Sequence, residues 1–270
     1  MEIIDFHAHI YPEKIAQKAA ESIGEFYNID MSASGTAENL IKSGSKVGIT
    51  NYLVHSVAVD GAHVETINNY ISSECEKHPE FYGFGTMHAD YENKIDEAER
   101  IKSLGLYGVK IHPDTQKYNM DDESMFDLYD FLSENHMPLL IHCGDYRYDY
   151  SHPRRLKNIL RKFPKLTVVG AHFGGWSVHD LALEYLLDEN CYLDCSSSFQ
   201  MTGLKRGREL IKLYGAERMV FGSDFPMWDP AHELEVLMSM GFSDEEYKLM
   251  LCENAKKILF DNKLGKYEKD

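Results

Sequence analysis

The sequence predicts a single-domain α/β fold, a (β/α)8 TIM barrel. Three observations predict it. Eight short apolar runs recur along the whole chain, and most are apolar nearly throughout, as parallel strands covered on both faces are. Segments with helical spacing lie between them. The later strand starts fall about 25–31 residues apart, one βα unit each. A doubly wound sheet fits less well, because the place of its Gly-rich phosphate turn after strand 1 holds His-Ala-His instead.

The elements follow in order. Strand 1 is IIDFH (3–7), and strand 2, NYLVHS (51–56), begins only after an interval with extra length at 11–35. That insertion reads either as a helix bracing the barrel or as a flap over its mouth, where βα loops emerge. Residues 63–78 place Val64, Ile67, Tyr70 and Ile71 on one helical stripe before strand 3, FYGFGTMH (81–88). Strand 4 is YGVKIH (107–112), and residues 123–134 repeat the helical stripe with Met125, Leu128, Tyr129 and Leu132. Strands 5 to 8 are PLLIHC (138–143), LTVVGAH (166–172), CYLDCS (191–196) and MVFGSD (219–224). Asp, Ser or Thr before several helices supplies N-caps, and Gly105, Pro138 and Pro164 separate helices from strands. Residues 243–260 read as a C-terminal helix packed outside the barrel. No linker or low-complexity stretch intervenes, so residues 1–270 read as one domain.

Composition narrows the function. A net charge of −16 argues against nucleic acid and anionic membrane surfaces, both of which need a basic face. A hydrophobic content of 43% suffices for a sizeable core. Glu2 and the brevity of the first apolar run speak against a signal peptide, and no run reaches transmembrane length. The cysteines Cys75, Cys143, Cys191, Cys195 and Cys252 are odd in number and form no C-x-x-C, which fits a reduced cytoplasm. The expected partner is a small molecule.

With 13 histidines in the chain, roughly 0.6 His-x-His pairs arise by chance, so His7 and His9 alone prove little. Their context proves more. Six of the predicted strands end in histidine (His7/His9, His55, His88, His112, His142, His172), strand 8 ends in Asp224, and barrel chemistry sits at strand C-termini. His7 and His9 share a side of strand 1, as two ligands of one ion must, and Asp5 has the same parity. Lys110 and His112 form a second same-facing pair. Gly170 and Gly222, two residues before His172 and Asp224, are expected to leave room below a site. Imidazole and carboxylate ligands suit Zn²⁺ first, and also Mn²⁺, Fe²⁺ or Co²⁺. Such an ion leaves a position for water and lowers its pKa.

At these residues the sequence resembles the amidohydrolase superfamily, within it the amidohydrolase-related family that includes aminocarboxymuconate-semialdehyde decarboxylase. DFHAH, GVKIHP, LLIHCG, GAHFGG, FGSDFP and CENAKKIL carry the resemblance, in order from residue 5 to 259. It implies a divalent metal held by His7, His9, His142 and Asp224, with His172 and Asp224 catalytic. In binuclear superfamily members a strand-4 lysine is carboxylated and bridges two ions. Lys110, His112 and His172 are therefore candidates for a second metal or for substrate, with one ion favoured and two left open. Lys110 could instead pair with a barrel carboxylate such as Asp5 or Asp224. TatD-type nucleases share the opening His-x-His but carry a glutamate-bearing strand where this chain reads GVKIHP. The resemblance also allows a homodimer.

Outside the metal set, Arg147 and Tyr146 in the loop after strand 5, with Trp176 and Trp228 after strands 6 and 8, are candidates for substrate contact. Packing and surface roles compete at each. Tyr11 is placed at the pocket edge. His55, His88 and His112 read as hydrogen-bonded supporting or core histidines, and His63, His78, His136, His152, His179 and His232 as surface residues. The first functional reading is a metal-dependent hydrolase in which metal-activated water attacks an amide, ester or lactone. A metal-dependent non-oxidative decarboxylase is the alternative, and a non-catalytic metal-binding barrel a lesser one.

Overall fold

The computed structural model describes residues 2–261. Eight parallel strands pair in chain order: β1 (Ile4–His9), β2 (Asn51–His55), β3 (Phe81–Thr86), β4 (Gly108–Ile111), β5 (Leu139–Ile141), β6 (Val168–Gly170), β7 (Tyr192–Asp194) and β8 (Met219–Val220). The ring closes where Phe6 N–H donates to the Phe221 carbonyl at 2.8 Å and His9 N–H to the Phe225 carbonyl at 2.7 Å. The fold is the TIM barrel that the strand pattern predicts.

Alternation along the strands builds two apolar layers. Ile4, Phe6, Leu53, Phe84, Leu140, Val169 and Val220 form one cluster, the barrel interior. Their strand neighbours Val54, Val109, Ile111, Ile141 and Val168 instead join helix residues such as Ile71, Ile101 and Leu128 in the outer layer. The segment predicted as an outer C-terminal helix is helical, but Ala255, Ile258 and Leu259 join the inner cluster. It therefore seals one end of the barrel rather than lying on its flank. No helix among the described residues is long and apolar enough to cross a membrane.

Two local departures from strand regularity decide what reaches the barrel axis. In β1 the register against β2 slips between Asp5 and Ala8. This bulge lets His7 and His9 turn inward although Ile4 and Phe6 do so too. Asp5, despite its nominal parity, is carried away from the axis. Its carboxylate accepts hydrogen bonds from Ser223 N–H (2.9 Å) and Ser223 Oγ (2.5 Å), and so fastens the β1–β8 seam. The second departure follows β6. His172 has φ 59°, so it leaves the strand in a left-handed turn rather than continuing its alternation. The expectation that Gly170 leaves room beneath His172 is therefore corrected. A Cβ on Gly170 would meet Leu156 and Leu193 of the outer layer, whereas one on Gly222 would lie 2.7 Å from His7 Cβ.

The insertion at 11–35 contains a helix, α1 (Glu13–Tyr27). Ala16, Ala20 and Gly24 are buried on one stripe, and Asn28 ends the helix in a left-handed conformation. A Cβ on Gly24 would stand 2.7 Å from the Ile29 carbonyl and 3.0 Å from Met31, so glycine there lets the returning chain pack against the helix.

Candidate metal centre and active site

The C-terminal ends of the strands open into a cavity of about 520 Å³. Its floor includes His7, His9, Lys110, His142, His172 and Asp224. Its roof is α1, through Ile15, Ala19, Ile23, Phe26 and Tyr27, with Tyr11 at the start of the insertion. The walls are otherwise largely apolar, including Ile67, Tyr70, Trp176 and Met227.

On the floor the donor atoms converge. His7 Nε2 lies 3.3 Å from His9 Nε2. Asp224 Oδ1 is 3.3 Å from the first and 3.4 Å from the second. Across the site, His172 Nε2 is 3.1 Å from His142 Nδ1. Lys110 Nζ is 3.1 Å from His7 Nε2, and among the described residues it forms no ion pair with a carboxylate, Asp5 included. Three of these rings are oriented from behind. His7 Nδ1 faces Asp194 Oδ2 at 2.8 Å, His142 Nε2 faces Asp114 Oδ2 at 3.3 Å, and His172 Nδ1 faces the Ser196 carbonyl at 2.9 Å. A neutral imidazole carries one N–H, and an oxygen acceptor claims it. This leaves His7 Nε2 facing His9 and Asp224, and turns the lone pairs of His142 Nδ1 and His172 Nε2 toward each other.

Electrostatics keeps the rings in the form that binds a cation. Burial holds His9 at about 4 and both His142 and His172 at about 3, so all are neutral near pH 7. Burial opposes the charge of Asp224, but the histidines around it, His7 foremost, hold it well below the usual carboxylate range. Burial lowers Lys110 to about 8, with Asp194 and Asp224 pulling the other way.

The remaining sequence candidates separate clearly. Trp176 lines the cavity, and its ring centroid is 4.7 Å from that of Tyr27. Arg147 does not line it: its guanidinium is held by Asp145, 2.6 Å from Nη2, and donates to the Phe26 carbonyl at 2.5 Å. Tyr146 is 72% exposed, and Trp228 donates through Nε1 to Ser197 Oγ at 2.7 Å, outside the lining. His112 is stacked on His142 with centroids 3.8 Å apart, and its Nε2 meets the Tyr27 hydroxyl at 2.7 Å. His88 is occupied elsewhere, with Nε2 on the Gln116 carbonyl and Nδ1 accepting from Asp90 N–H. His179, expected on the surface, is buried against Phe173, because the turn after β6 folds the start of its helix inward.

Asp194, Asp114, Ser196 and Tyr27 were not singled out from the sequence. Asp194 ends β7 as Asp224 follows β8, so the strand-end rule could have found it. Tyr27 sits in the insertion, where no periodicity links it to a strand.

The buried, nitrogen-rich set with one ionised carboxylate fits a divalent transition metal, which would satisfy the lone pairs of His142 Nδ1 and His172 Nε2 that otherwise face each other without a proton between them. The comparisons agree with that chemistry. A family model described as Amidohydrolase matches residues 4–260. An uncharacterized TIM-barrel protein from Bordetella bronchiseptica superposes with a TM-score of 0.78 at 19% identity, over 97% of this chain and 99% of that one. A dihydroxybenzoic acid decarboxylase from Polaromonas, solved with bound manganese and 2-nitroresorcinol, gives 0.74 at 15% identity, over 97% and 99%. A protein described as a 2-pyrone-4,6-dicarboxylic acid hydrolase from Pseudomonas putida gives 0.68 at 18%, over 97% and 98%. The chain belongs to the amidohydrolase family of metal-dependent barrel enzymes.

Proposed function

We propose that the protein is a metal-dependent hydrolase that cleaves an amide, ester or lactone bond in a small molecule with an apolar body. One observation carries this reading. Asp224 lies within 3.4 Å of the Nε2 atoms of both His7 and His9 and is also part of the cavity wall. A carboxylate there can reach both the ligand cluster and a bound substrate, as a proton shuttle must.

His7, His9, His142 and Asp224 would hold the ion, with Zn²⁺ the first choice and Mn²⁺, Fe²⁺ or Co²⁺ alternatives. Bound there, the ion supplies Lewis acidity to the carbonyl and makes water a better nucleophile. Asp224 takes the proton of the attacking water and returns it to the departing nitrogen or oxygen. Ser197 Oγ donates to Asp224 Oδ2 at 2.5 Å and fixes the plane of that carboxylate. His172, its Nδ1 committed to the Ser196 carbonyl, presents the lone pair of Nε2, which can accept a proton of the nucleophile and so orient it. Helix α1 covers the reacting centre and limits bulk water. Among the described residues Lys110 and Lys117 are the only lysine or arginine residues lining the cavity, which favours a substrate with few anionic groups. The five free cysteines support a cytoplasmic setting. A homodimer is the assembly that the family resemblance implies, and light scattering tests it.

A metal-dependent decarboxylase is the second reading. It is favoured by the flat aromatic surfaces of Phe26, Tyr27 and Trp176 on the cavity, which suit an aryl carboxylate. His172 or Asp224 would then pass a proton taken up from water to the carbon that loses CO₂. Incubating metal-loaded protein with esters, lactones, amides and carboxylated aromatics separates the two. Hydrolysis products without CO₂ are expected, and CO₂ release from the aromatics would replace the hydrolase reading. Elemental analysis of protein purified without chelator should find transition metal that His7→Ala and Asp224→Ala lose. Unchanged metal content in both variants would end the metal assignment.

A further inference from the structure

His55 ends β2, next to His9 in the β1–β2 register. Leu53, two residues earlier, belongs to the inner cluster, so strand alternation turns His55 inward as well. Its ring packs edge-on to His9 at 4.4 Å and to His7 at 5.0 Å between centroids. The side chain is fully buried, and neither Nδ1 nor Nε2 has a hydrogen-bond partner. Among the described residues no other histidine has both ring nitrogens in that condition. His7, His142 and His172 each have an oxygen acceptor behind them, and His112 has Tyr27.

An imidazole with two idle nitrogens in a dry interior bears the full desolvation penalty of each group left unsatisfied. A structural core histidine ordinarily avoids this with a backbone partner, as His88 does here. His55 is absent from the cavity lining, so substrate is not its partner. What it does face is the cluster: one of its nitrogens lies within 4.8 Å of donor atoms of both His7 and His9. Two nitrogens on a common ion at bonds of about 2.1 Å stand roughly 3–4 Å apart, so a modest ring rotation suffices.

We propose that His55 is a further ligand of the divalent transition metal held by His7 and His9, so that β2 as well as β1 supplies imidazole to the centre. This rests on the metal-centre reading above. A third imidazole on this side of the site would favour a borderline cation such as Zn²⁺ or Co²⁺ over the oxygen-preferring Mg²⁺.

The test titrates chelator-stripped protein with Co²⁺ alone, following visible d–d absorption, and measures Zn²⁺ affinity against a chromophoric chelator. Wild type is compared with His55→Phe, which keeps an aromatic ring, and with His55→Gln, which keeps polarity. Each variant is first checked for native circular dichroism, and His7→Ala serves as a reference that loses the ion. Weakening by tenfold or more in a folded His55 variant, with altered d–d bands, is the expected result. Unchanged affinity and bands beside a metal-free His7→Ala would overturn the His55 assignment and leave the centre intact. Failure of wild type to take up Co²⁺ or Zn²⁺ would overturn both.

Discussion

Nδ1 of His7 lies 2.8 Å from Oδ2 of Asp194, and both side chains are sealed from solvent. The other carboxylate oxygen of Asp194 accepts from His172 N–H at 3.0 Å and from Ser196 N–H at 3.0 Å. One carboxylate at the end of β7 thus sets the tautomer of His7 and the backbone position of His172. Replacing it with Asn removes the charge, leaves one neutral acceptor oxygen of the two and lets an amide N–H face Nδ1. Asp194→Asn should lower metal affinity by about 10–100-fold with the fold retained. Chelator competition reads the loss. Unchanged affinity would mean that Ser196 Oγ, 3.1 Å from the same nitrogen, holds the ring by itself.

Arg147 acts on α1 rather than on the cavity. Its guanidinium is pinned by Asp145, donates to the Phe26 carbonyl and lies over the Phe26 ring at 4.7 Å. Arg147→Gln should therefore speed amide hydrogen exchange in α1 while leaving exchange in β4 and β5 unchanged. It should also raise the KM of any substrate that α1 covers. A residue that only bound a substrate carboxylate would alter KM without touching exchange.

Legibility from sequence followed the physics of each feature. Strand order, the helical stripes and the clustering of His7, His9, His142, His172 and Asp224 rest on apolar periodicity and on strand C-termini, both written in the local pattern. Asp5 and Gly170 were misread because parity holds only while a strand is regular. A bulge after Asp5 and a left-handed turn at His172 break it, and neither carries a distinctive residue type. Tyr27 and the locking of Arg147 depend on where an inserted helix docks, a long-range packing outcome. Asp194 was visible in principle, but a carboxylate supporting a histidine looks in sequence like any strand-end aspartate.

The two glycines at the site make opposite predictions. A Cβ on Gly222 would stand 2.7 Å from His7 Cβ and 3.3 Å from Ser196 Cβ, and neither neighbour has a flexible end to move. Gly222→Ala should cost about 1–3 kcal/mol of stability and weaken metal binding by displacing His7. A Cβ on Gly170 would press on the mobile ends of Leu156 and Leu193 at 3.0 and 3.1 Å, away from the axis. Gly170→Ala should leave metal affinity at the wild-type value. Denaturant melts and metal titrations of the pair check both statements.

Glu233 predicts a pH dependence of stability separate from the metal. It lies fully buried in the helix Pro230–Met238, with Gln200 Nε2 donating to Oε1 at 2.5 Å and Oε2 without a partner. Burial raises its carboxyl to about 8, against the effect of Gln200 and with Asp224 and Asp5 reinforcing the rise. The folded pKa exceeds the unfolded one, so the folded protein binds this proton more tightly. The contribution is fully present below about pH 4.5 and is lost as pH rises through about 8. Its upper bound is about 5 kcal/mol by linkage. Asp5 and Asp114, also raised by burial, add the same sign near pH 6. The buried histidines, lowered by burial, work the other way as pH falls below about 6.5. The difference between wild type and Glu233→Gln isolates the glutamate. The glutamine variant should lose less stability than wild type between pH 5 and pH 8, the acidic side of the comparison being nearly equal. Chemical denaturation across that range, on chelator-stripped protein, reads the difference directly. Parallel pH profiles for the two proteins would show that Glu233 is ionised in the folded state at neutral pH.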